Sequence, residues 1–279
     1  MLQAFFAAVG YAGGIVVDKV VLSQYRIPVK RFVPLLFIWL ATITAFLLPK
    51  FASVDWPLFG TTKYLLLFLA MFAVAITWNS FYYRGIQSEE IHEFELVMLL
   101  SPLVTIVLSE IFLPSERNVE LFIAGAIASV ALIFSRFKHH HLQITKNTSI
   151  IFIAMFFMSA ESIIIKMLLD VFSPVALYFI RTAVMAVIFL LFWRPKLLSM
   201  PARCFAYTII SAVFGVIQMV LKFYGFAKLG VVETTVILVL GPFLVYFFSA
   251  FYFKENLKKR DIISALIVIA SVIYITLFR

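Results

Sequence analysis

The sequence predicts an all-α integral membrane protein whose ten transmembrane helices form a five-plus-five inverted repeat. Three observations lead to this prediction. The chain of 279 residues is 64% hydrophobic and only 13% charged, whereas soluble domains average about 25% charged residues. Its apolar residues fall into runs long enough to cross a bilayer. Its second half repeats patterns found in the first.

The composition excludes whole classes of protein. So few charges cannot cover the surface of a soluble enzyme, and such a chain is neither a disordered regulator nor a nucleic-acid-binding module. The net charge of +9 comes from residues scattered between apolar runs, which is typical of topology signals. The single Cys204 excludes an intramolecular disulfide and any Cys-based zinc site. The three histidines at 139–141 are more typical of a polar loop than of a metal site, so we expect neither metal nor cofactor.

Ten apolar runs account for most of the chain, and each is close to the length of a membrane-spanning helix. They lie at 2–22, 31–48, 64–86, 94–113, 118–135, 148–169, 174–193, 204–224, 233–253 and 260–278. The connections are mostly short, so successive helices are expected to be antiparallel neighbours. The longest connection, at 135–147, marks the midpoint and predicts two units, 1–140 and 141–279.

Lys and Arg alternate in density from one connection to the next. Fourteen of them collect on one side of the predicted topology and five on the other. The positive-inside rule assigns the richer side to the cytoplasm and therefore puts both termini outside. The expected location is a bacterial-type cytoplasmic membrane, which the chain crosses several times.

The two halves share short patterns in the same order, at offsets of 140 to 147 residues. Each pair combines a segment of the first half with one of the second. The pairs are Lys19 and Lys166, Pro28 and Pro174, Phe81-Tyr82 and Phe223-Tyr224, Ser101-Pro102-Leu103 and Gly241-Pro242-Phe243, and Ile127-Ala128-Ser129-Val130 and Ile269-Ala270-Ser271-Val272. Because each half has an odd number of helices, the second half enters the membrane inverted. Inverted repeats are the architecture of secondary transporters.

The prolines of spans four and nine, Pro102 and Pro242, lie inside apolar runs, where each frees a backbone carbonyl and is expected to bend its helix. A carboxylate follows each proline span, in Leu113-Pro114-Ser115-Glu116 and in Phe253-Lys254-Glu255. We expect Glu116 and Glu255 to stabilise the start of the helix that follows each of them, with Ser115 as a cap.

With these residues, and with Ser173-Pro174-Val175 leading to Arg181, nearly the whole chain resembles the drug/metabolite transporter superfamily, EamA type. The resemblance implies a ten-helix transporter with two EamA-like halves. Two departures stand out, because Pro114-Ser115 replaces the usual glycine before Glu116, and Leu35 stands where Arg181 has its counterpart. The family is commonly drawn with cytoplasmic termini, opposite to the charge count, so the orientation stays open.

Ionisable groups inside spans are costly and are candidates for function. Glu161 lies near the centre of span six. Lys166, five residues on, is about 140° away around the helix, so Arg181 and Lys222 are better partners. We expect Glu161 to couple protonation to solute binding, with a structural ion pair as the alternative. The full set of candidate binding and coupling residues is Asp18, Lys19, Asn79, Tyr83, Glu161, Lys166, Arg181, Gln218 and Lys222.

Two features of span one have alternative explanations. Asp18 and Lys19 lie near its end and belong either to the site or to the membrane interface. Gly10 and Gly14 stack on the same face as Asp18, and they either thin the wall of a solute path or let a neighbouring helix pack closely.

The expected function is a secondary transporter that moves a small amino-acid-like solute, or another zwitterion or anion, by alternating access. The chain lacks a nucleotide-binding P-loop, which leaves proton coupling or exchange. A lipid-linked-sugar flippase of the same superfamily is the main alternative, and a membrane-embedded enzyme is disfavoured by the lack of known catalytic motifs. The expected partners are the solute and membrane lipids, with no nucleic acid, and the protein is expected to be a monomer or a homodimer.

Overall fold

The computed structural model describes residues 1–88, 97–98, 100–136, 146–195, 200–241 and 244–245, together with 263, 266–267 and 269–270. These residues are almost entirely helical, apart from connections and one isolated bridge between Val54 and Phe172. We number the main helices in chain order. They are α1 Leu2–Lys19, α2 Val29–Ala45, α3 Thr62–Ser88, α4 Ser101–Phe112, α5 Val119–Arg136, α6 Lys146–Leu168, α7 Pro174–Trp193, α8 Ala202–Lys228 and α9 Val231–Leu238.

Five segments of the described chain are long and apolar enough to cross a membrane as helices. They are Leu2–Gln24, Thr62–Ser88, Ser149–Leu168, Pro174–Trp193 and Ala202–Lys228. The first of them combines α1 with the π-helical turn Val20–Gln24 that follows it. The prediction of an all-helical membrane protein is therefore confirmed.

Spans four and nine differ from the prediction, because neither is a continuous helix where it is described. In span four, Leu100 forms a turn and α4 begins at Ser101. In span nine, α9 ends at Leu238 and Val239 forms a turn, two residues before Gly241. By the pairing of Ser101 with Gly241, the two interruptions lie within one residue of equivalent places in the sequence repeat.

The bend at Pro102 stays a prediction, because Leu99, which joins residues 97–98 to α4, lies outside the described residues. Pro102 lies in the first turn of α4, where a helix needs no N–H from that residue and the fixed φ of proline is favourable. Proline has no N–H to donate to the carbonyl of Met98, four residues earlier. Pro242 lies outside the described residues.

Helix packing follows the repeat. Four of the contacts between the halves are α1 with α8, α3 with α6, α2 with α7, and α4 with α9, and the contacts of α2 with α8 and of α4 with α6 are more extensive than the last of these. When each helix of one half is exchanged for its counterpart five helices on, the α1–α8 contact becomes the α6–α3 contact. The other two contacts are each converted into themselves. These four contacts have the pairwise pattern that two equivalent halves produce, whereas α2–α8 is more extensive than its counterpart α7–α3.

Helix α5 lies at the edge of the bundle. It exposes Val119, Ile123, Ile127 and Val130, and no described residue of α5 lines the cavity between the other helices. Exposed aliphatic side chains on a membrane helix are in contact with lipid.

Candidate functional site

A cavity of about 160 Å³ lies between the two halves. Its walls come from α1 to α4 and from α6 to α9, with Met98 just before α4. The lining is mixed, because apolar side chains surround a set of polar ones. The polar lining residues are Tyr11, Asp18, Trp78, Asn79, Tyr82, Tyr83, Ser101, Thr105, Glu161, Ser162, Tyr178, Arg181, Ser211, Gln218, Lys222 and Thr235.

The centre of the cavity wall is an ion pair between α6 and α7. Arg181 donates from Nε to Glu161 Oε1 over 2.7 Å and from its terminal nitrogen to Oε2 over 3.1 Å. Trp78 Nε1 on α3 donates to the same Oε2 over 2.7 Å. The guanidinium carbon also lies 5.6 Å from the centre of the Trp78 ring, a cation–π contact. Both charged side chains are nearly fully buried, at 3% and 2% exposure.

The start of α7 fixes the position of Arg181. The Ser173 hydroxyl oxygen accepts from the Ala176 N–H over 3.4 Å, and Pro174 occupies the first turn. The same hydroxyl oxygen accepts from the Ser53 N–H over 2.9 Å, which ties this helix start to the first half. Arg181 follows two turns later and faces Glu161. Glu161 thus has Arg181 as its partner and not Lys166, as expected from the helical angle.

Lys222 on α8 provides a second positive charge at the cavity. Its Nζ donates to the Ser162 hydroxyl over 3.2 Å and lies 5.1 Å from the centre of the Phe226 ring. Within the described part of the chain, no carboxylate forms an ion pair with it. Gln218, one turn earlier on the same face of α8, also lines the cavity.

Asp18 on α1 provides the opposite charge. It is buried, at 6% exposure, and accepts a short hydrogen bond from the Ser211 hydroxyl of α8. No Lys or Arg of the described residues lies within ion-pair distance of its carboxylate. Tyr83 of α3 lines the same part of the cavity, and its ring packs edge-on against Phe32 with centroids 5.7 Å apart.

Asp18 and Lys222 therefore lie at different depths. Ser211, which binds Asp18, is eleven residues before Lys222. Eleven residues of helix return to within about 20° of the same face and advance about 16 Å. The cavity thus has a negative end, formed by Asp18 of α1, and a positive end, formed by Lys222 near the C-terminal end of α8.

The Asn79 side chain is hydrogen-bonded within its own helix. It is buried at 1% exposure, lines the cavity and donates from Nδ2 to the Ala75 carbonyl of its own helix over 2.8 Å. Its second Nδ2 hydrogen and its carbonyl oxygen can serve a solute.

The two glycines of α1 have different roles. A Cβ on Gly10 would lie 2.8 Å from the backbone nitrogen of Gln218, so this glycine permits close packing of α1 on α8. A Cβ on Gly14 would meet only the Phe214 Cβ, at 3.7 Å, and Gly14 lines the cavity. Of the two explanations left open by the sequence, close packing applies to Gly10 and a thinned cavity wall applies to Gly14.

Lys19 and Lys166 are not among the cavity-lining residues, which corrects their placement beside the other candidates. Each donates to a backbone carbonyl at the end of another helix, Lys19 to Ile86 over 2.9 Å and Lys166 to Phe226 over 2.7 Å. Lys166 also pairs with Glu116, with Nζ and Oε1 3.3 Å apart. Their ammonium groups are thus held at the ends of the bundle.

Glu116 does not stabilise the helix that follows it. Its Oε2 accepts from the Val231 N–H over 2.6 Å, so it serves the start of α9 in the other half. The start of α5 is held by Asn118, whose side-chain oxygen accepts from the Glu120 N–H over 2.9 Å, and not by Ser115. Glu255 lies outside the described residues.

Sequence reasoning missed several residues of the site. Trp78 and Tyr82 are not among the candidate residues of the sequence analysis, yet both are 8% exposed and line the cavity. Ser162, Ser211 and Tyr178 were not considered. A hydroxyl in a membrane helix is a weak signal because it readily bonds to its own helix, whereas the position of Ser211 opposite Asp18 is a tertiary fact. Among the described residues, no group of three His, Cys, Asp or Glu could hold a metal ion.

Comparisons with known proteins cover almost the whole chain. A model of the EamA-like transporter family matches residues 1–137 and again residues 147–277. A solved crystal structure is similar in fold, with a TM-score of 0.78 and 13% sequence identity, over 99% of this chain and 97% of the other. No curated protein matches the sequence.

Proposed function

The chain belongs to the EamA-like transporter family, and from this premise we propose that it moves a small zwitterionic solute by alternating access. Membership makes the protein a multi-pass membrane transporter and not an enzyme, as the sequence predicted. The nature of the solute, the coupling and the ten-span inverted topology belong to the proposal, as does residence in a bacterial-type cytoplasmic membrane.

One observation carries the solute class. Asp18 and Lys222 are the two charged groups at the cavity whose only hydrogen-bond partner within the described residues is a hydroxyl. The other two charges, Glu161 and Arg181, neutralise each other in a buried bidentate pair. A solute with an amine and a carboxylate would complement Asp18 at one end and Lys222 at the other.

The spacing refines this proposal. About 16 Å of α8 separates the level of the Asp18 contact from that of Lys222, and flexible Asp and Lys side chains shorten this gap. A zwitterion whose charges are several bonds apart would reach both ends better than the shortest α-amino acid. The cavity volume of about 160 Å³ also favours a small solute.

The packing of the helices supports alternating access. When the two halves are exchanged, the α1–α8 contact becomes the α3–α6 contact. The helix interruption at Leu100 lies beside the cavity, and the interruption at Val239 lies two residues before Gly241. Transporters with inverted repeats bind solute at such a junction, between discontinuous helices. Two near-equivalent halves can exchange conformations and so open the cavity to either side.

The proposal is tested by uptake into liposomes that contain the purified protein. Labelled ω-amino acids from glycine to 6-aminohexanoate are the probes. We expect Lys222→Gln and Asp18→Asn each to raise KM by at least about tenfold, because a lost charge-assisted hydrogen bond is worth about 1.5–3 kcal/mol. Lys228→Gln, an exposed lysine at the end of the same helix, is the control. Unchanged KM values in both cavity variants would refute a zwitterion site between these residues.

A further inference from the structure

We propose that Lys166, Glu116 and the Phe226 carbonyl form a latch that closes one end of the cavity, and that Lys19 with the Ile86 carbonyl closes the other. This inference rests on the proposed alternating access. It assigns to the two lysines outside the cavity a role in deciding which side is open.

The latch joins three separate parts of the chain. Lys166 Nζ at the end of α6 lies 2.7 Å from the Phe226 carbonyl oxygen and 3.3 Å from Glu116 Oε1. Glu116, in the turn after α4, accepts the Val231 N–H at the start of α9. Glu116 belongs to the first half of the chain, whereas the other groups belong to the second. Separating Lys166 from Glu116 would therefore remove one of the links between the halves at this end.

Gly230 makes the close approach of Glu116 possible. It has φ +91°, and a Cβ there would lie 2.9 Å from the Glu116 carboxyl carbon. Any other residue would strain the backbone and displace the carboxylate. The corner between α8 and α9 is thus shaped around the Glu116 side chain.

The latch lies directly over the positive end of the cavity. Phe226 is one turn beyond Lys222, its side chain is fully buried, and its ring lies 5.1 Å from Lys222 Nζ. The carbonyl of this same residue accepts from Lys166. On α9, Thr235 lines the cavity one turn after Val231. A solute leaving the cavity past Lys222 would meet the latch.

A similar contact exists at the other end. Lys19 directly follows the cavity residue Asp18 and donates to the Ile86 carbonyl over 2.9 Å. Ser23 also lies 3.4 Å from this carbonyl oxygen. Lys19 and Lys166 each lie at the end of the first helix of a half, and each acceptor lies near the end of the third helix of the same half. Because α6 runs opposite to α1 in the proposed topology, the two contacts close opposite ends.

The latch differs from the central ion pair in its exposure. Lys166 and Glu116 are 23% and 11% exposed, whereas Arg181 and Glu161 are 3% and 2% exposed. A pair whose side chains are partly exposed loses less when it separates, because water can replace the lost partner. The central pair is therefore a permanent part of the wall, and the latch is the pair that opens in the transport cycle.

Thiol labelling tests this inference without any solute. In a Cys204→Ser background, Thr235→Cys reports access to the cavity from one turn beyond the latch. A membrane-impermeant maleimide is added to vesicles of either orientation. Lys166→Met is expected to speed labelling about five- to tenfold from one face only, the change expected for loss of about 1–1.4 kcal/mol of closing interaction. Lys19→Met is expected to do so from the opposite face only.

Three further variants control the experiment. Lys166→Arg keeps the charge and is expected to label slowly, and Lys228→Met changes an exposed lysine at the same end. Glu116→Gln keeps an acceptor for the Val231 N–H and removes only the charge. It takes the place of Lys166→Met in the labelling experiment if Lys166→Met fails to fold. Labelling rates that do not change, or that rise equally from both faces, would overturn the latch. The labelling experiment uses no solute, so its result can be interpreted even if the zwitterion uptake assay fails.

Discussion

Three donated hydrogen bonds surround Glu161, two from Arg181 and one from Trp78. A carboxylate that accepts two hydrogen bonds from one guanidinium and a third from an indole is held in a fixed position by its partners. The geometry therefore favours the structural ion pair over the coupling role that its central position in the sequence suggested.

Replacing Glu161 separates these two roles. Glu161→Gln leaves Arg181 buried without a counter-charge, which typically costs about 3–5 kcal/mol. We expect a lower melting temperature and yield, while the folded fraction transports with an unchanged pH profile. The exposed Glu120→Gln is the control. A variant of normal stability that lost the pH dependence of transport would instead assign proton coupling to Glu161.

Gly10 and Gly14 of α1 provide a second test, because the atoms that a Cβ would meet differ between the two glycines. Gly10→Ala would place a methyl group 2.8 Å from the Gln218 backbone, and such overpacking costs about 1–3 kcal/mol. Gly14→Ala meets ordinary contacts and adds a methyl group to the cavity wall. We expect Gly10→Ala to lower the melting temperature and Gly14→Ala to lower kcat/KM for the longer ω-amino acids only. If Gly10→Ala and Gly14→Ala lowered the melting temperature equally, the result would contradict the assignment of Gly14 to the cavity wall.

Among the elements, α4 and α9 distinguish this bundle from a set of straight spans. Pro102 and Pro242 revealed from the sequence that these two spans are special, because proline is rarely neutral inside a helix. The exact form of the change was not predictable. Whether a proline bends a helix or starts one depends on the turn before it, here at Leu100, and tertiary packing sets that turn.

Pro102→Ala tests the role of the interruption before α4. Alanine supplies an N–H that can bond to the Met98 carbonyl and join α4 to the preceding turn, which would stiffen the cavity wall. We expect normal membrane insertion and slower transport in the liposome assay. Pro34→Ala, at a buried proline within α2 that does not line the cavity, is the matched control. Equal rates for wild type and Pro102→Ala would show that the interruption has no part in transport.

The sequence predicted helix positions well because hydrophobicity in a membrane is a one-dimensional signal. Predicted and observed ends of α1, α3, α6 and α7 agree to within a few residues. It also named Arg181 and Lys222 as the candidate partners of Glu161, of which Arg181 forms the ion pair. It could not predict that Lys166 reaches Glu116, because their meeting depends on the corner at Gly230. Pairings between distant segments are thus the part that sequence reasoning lacked.

At the scale of the whole molecule, the account depends on two halves with opposite orientation. Five helices in each half put residues 140 and 279 on opposite sides of the membrane. The Lys and Arg count of fourteen against five puts residue 140 in the cytoplasm. Reporter fusions at both positions measure this. Reporters on the same side would contradict the five-plus-five topology, and opposite sides with residue 279 inside would reverse only the orientation.

Counterflow in liposomes tests the central claim most directly. Vesicles containing the purified protein are loaded with unlabelled 6-aminohexanoate, and entry of the labelled compound is followed beside hexanoate, hexylamine and the lipophilic cation tetraphenylphosphonium. Asp18 and Lys222 predict rapid exchange of the zwitterion, and slow exchange of the two analogues that lack one charge. Exchange of tetraphenylphosphonium without exchange of the zwitterion would contradict a two-charge site between these residues.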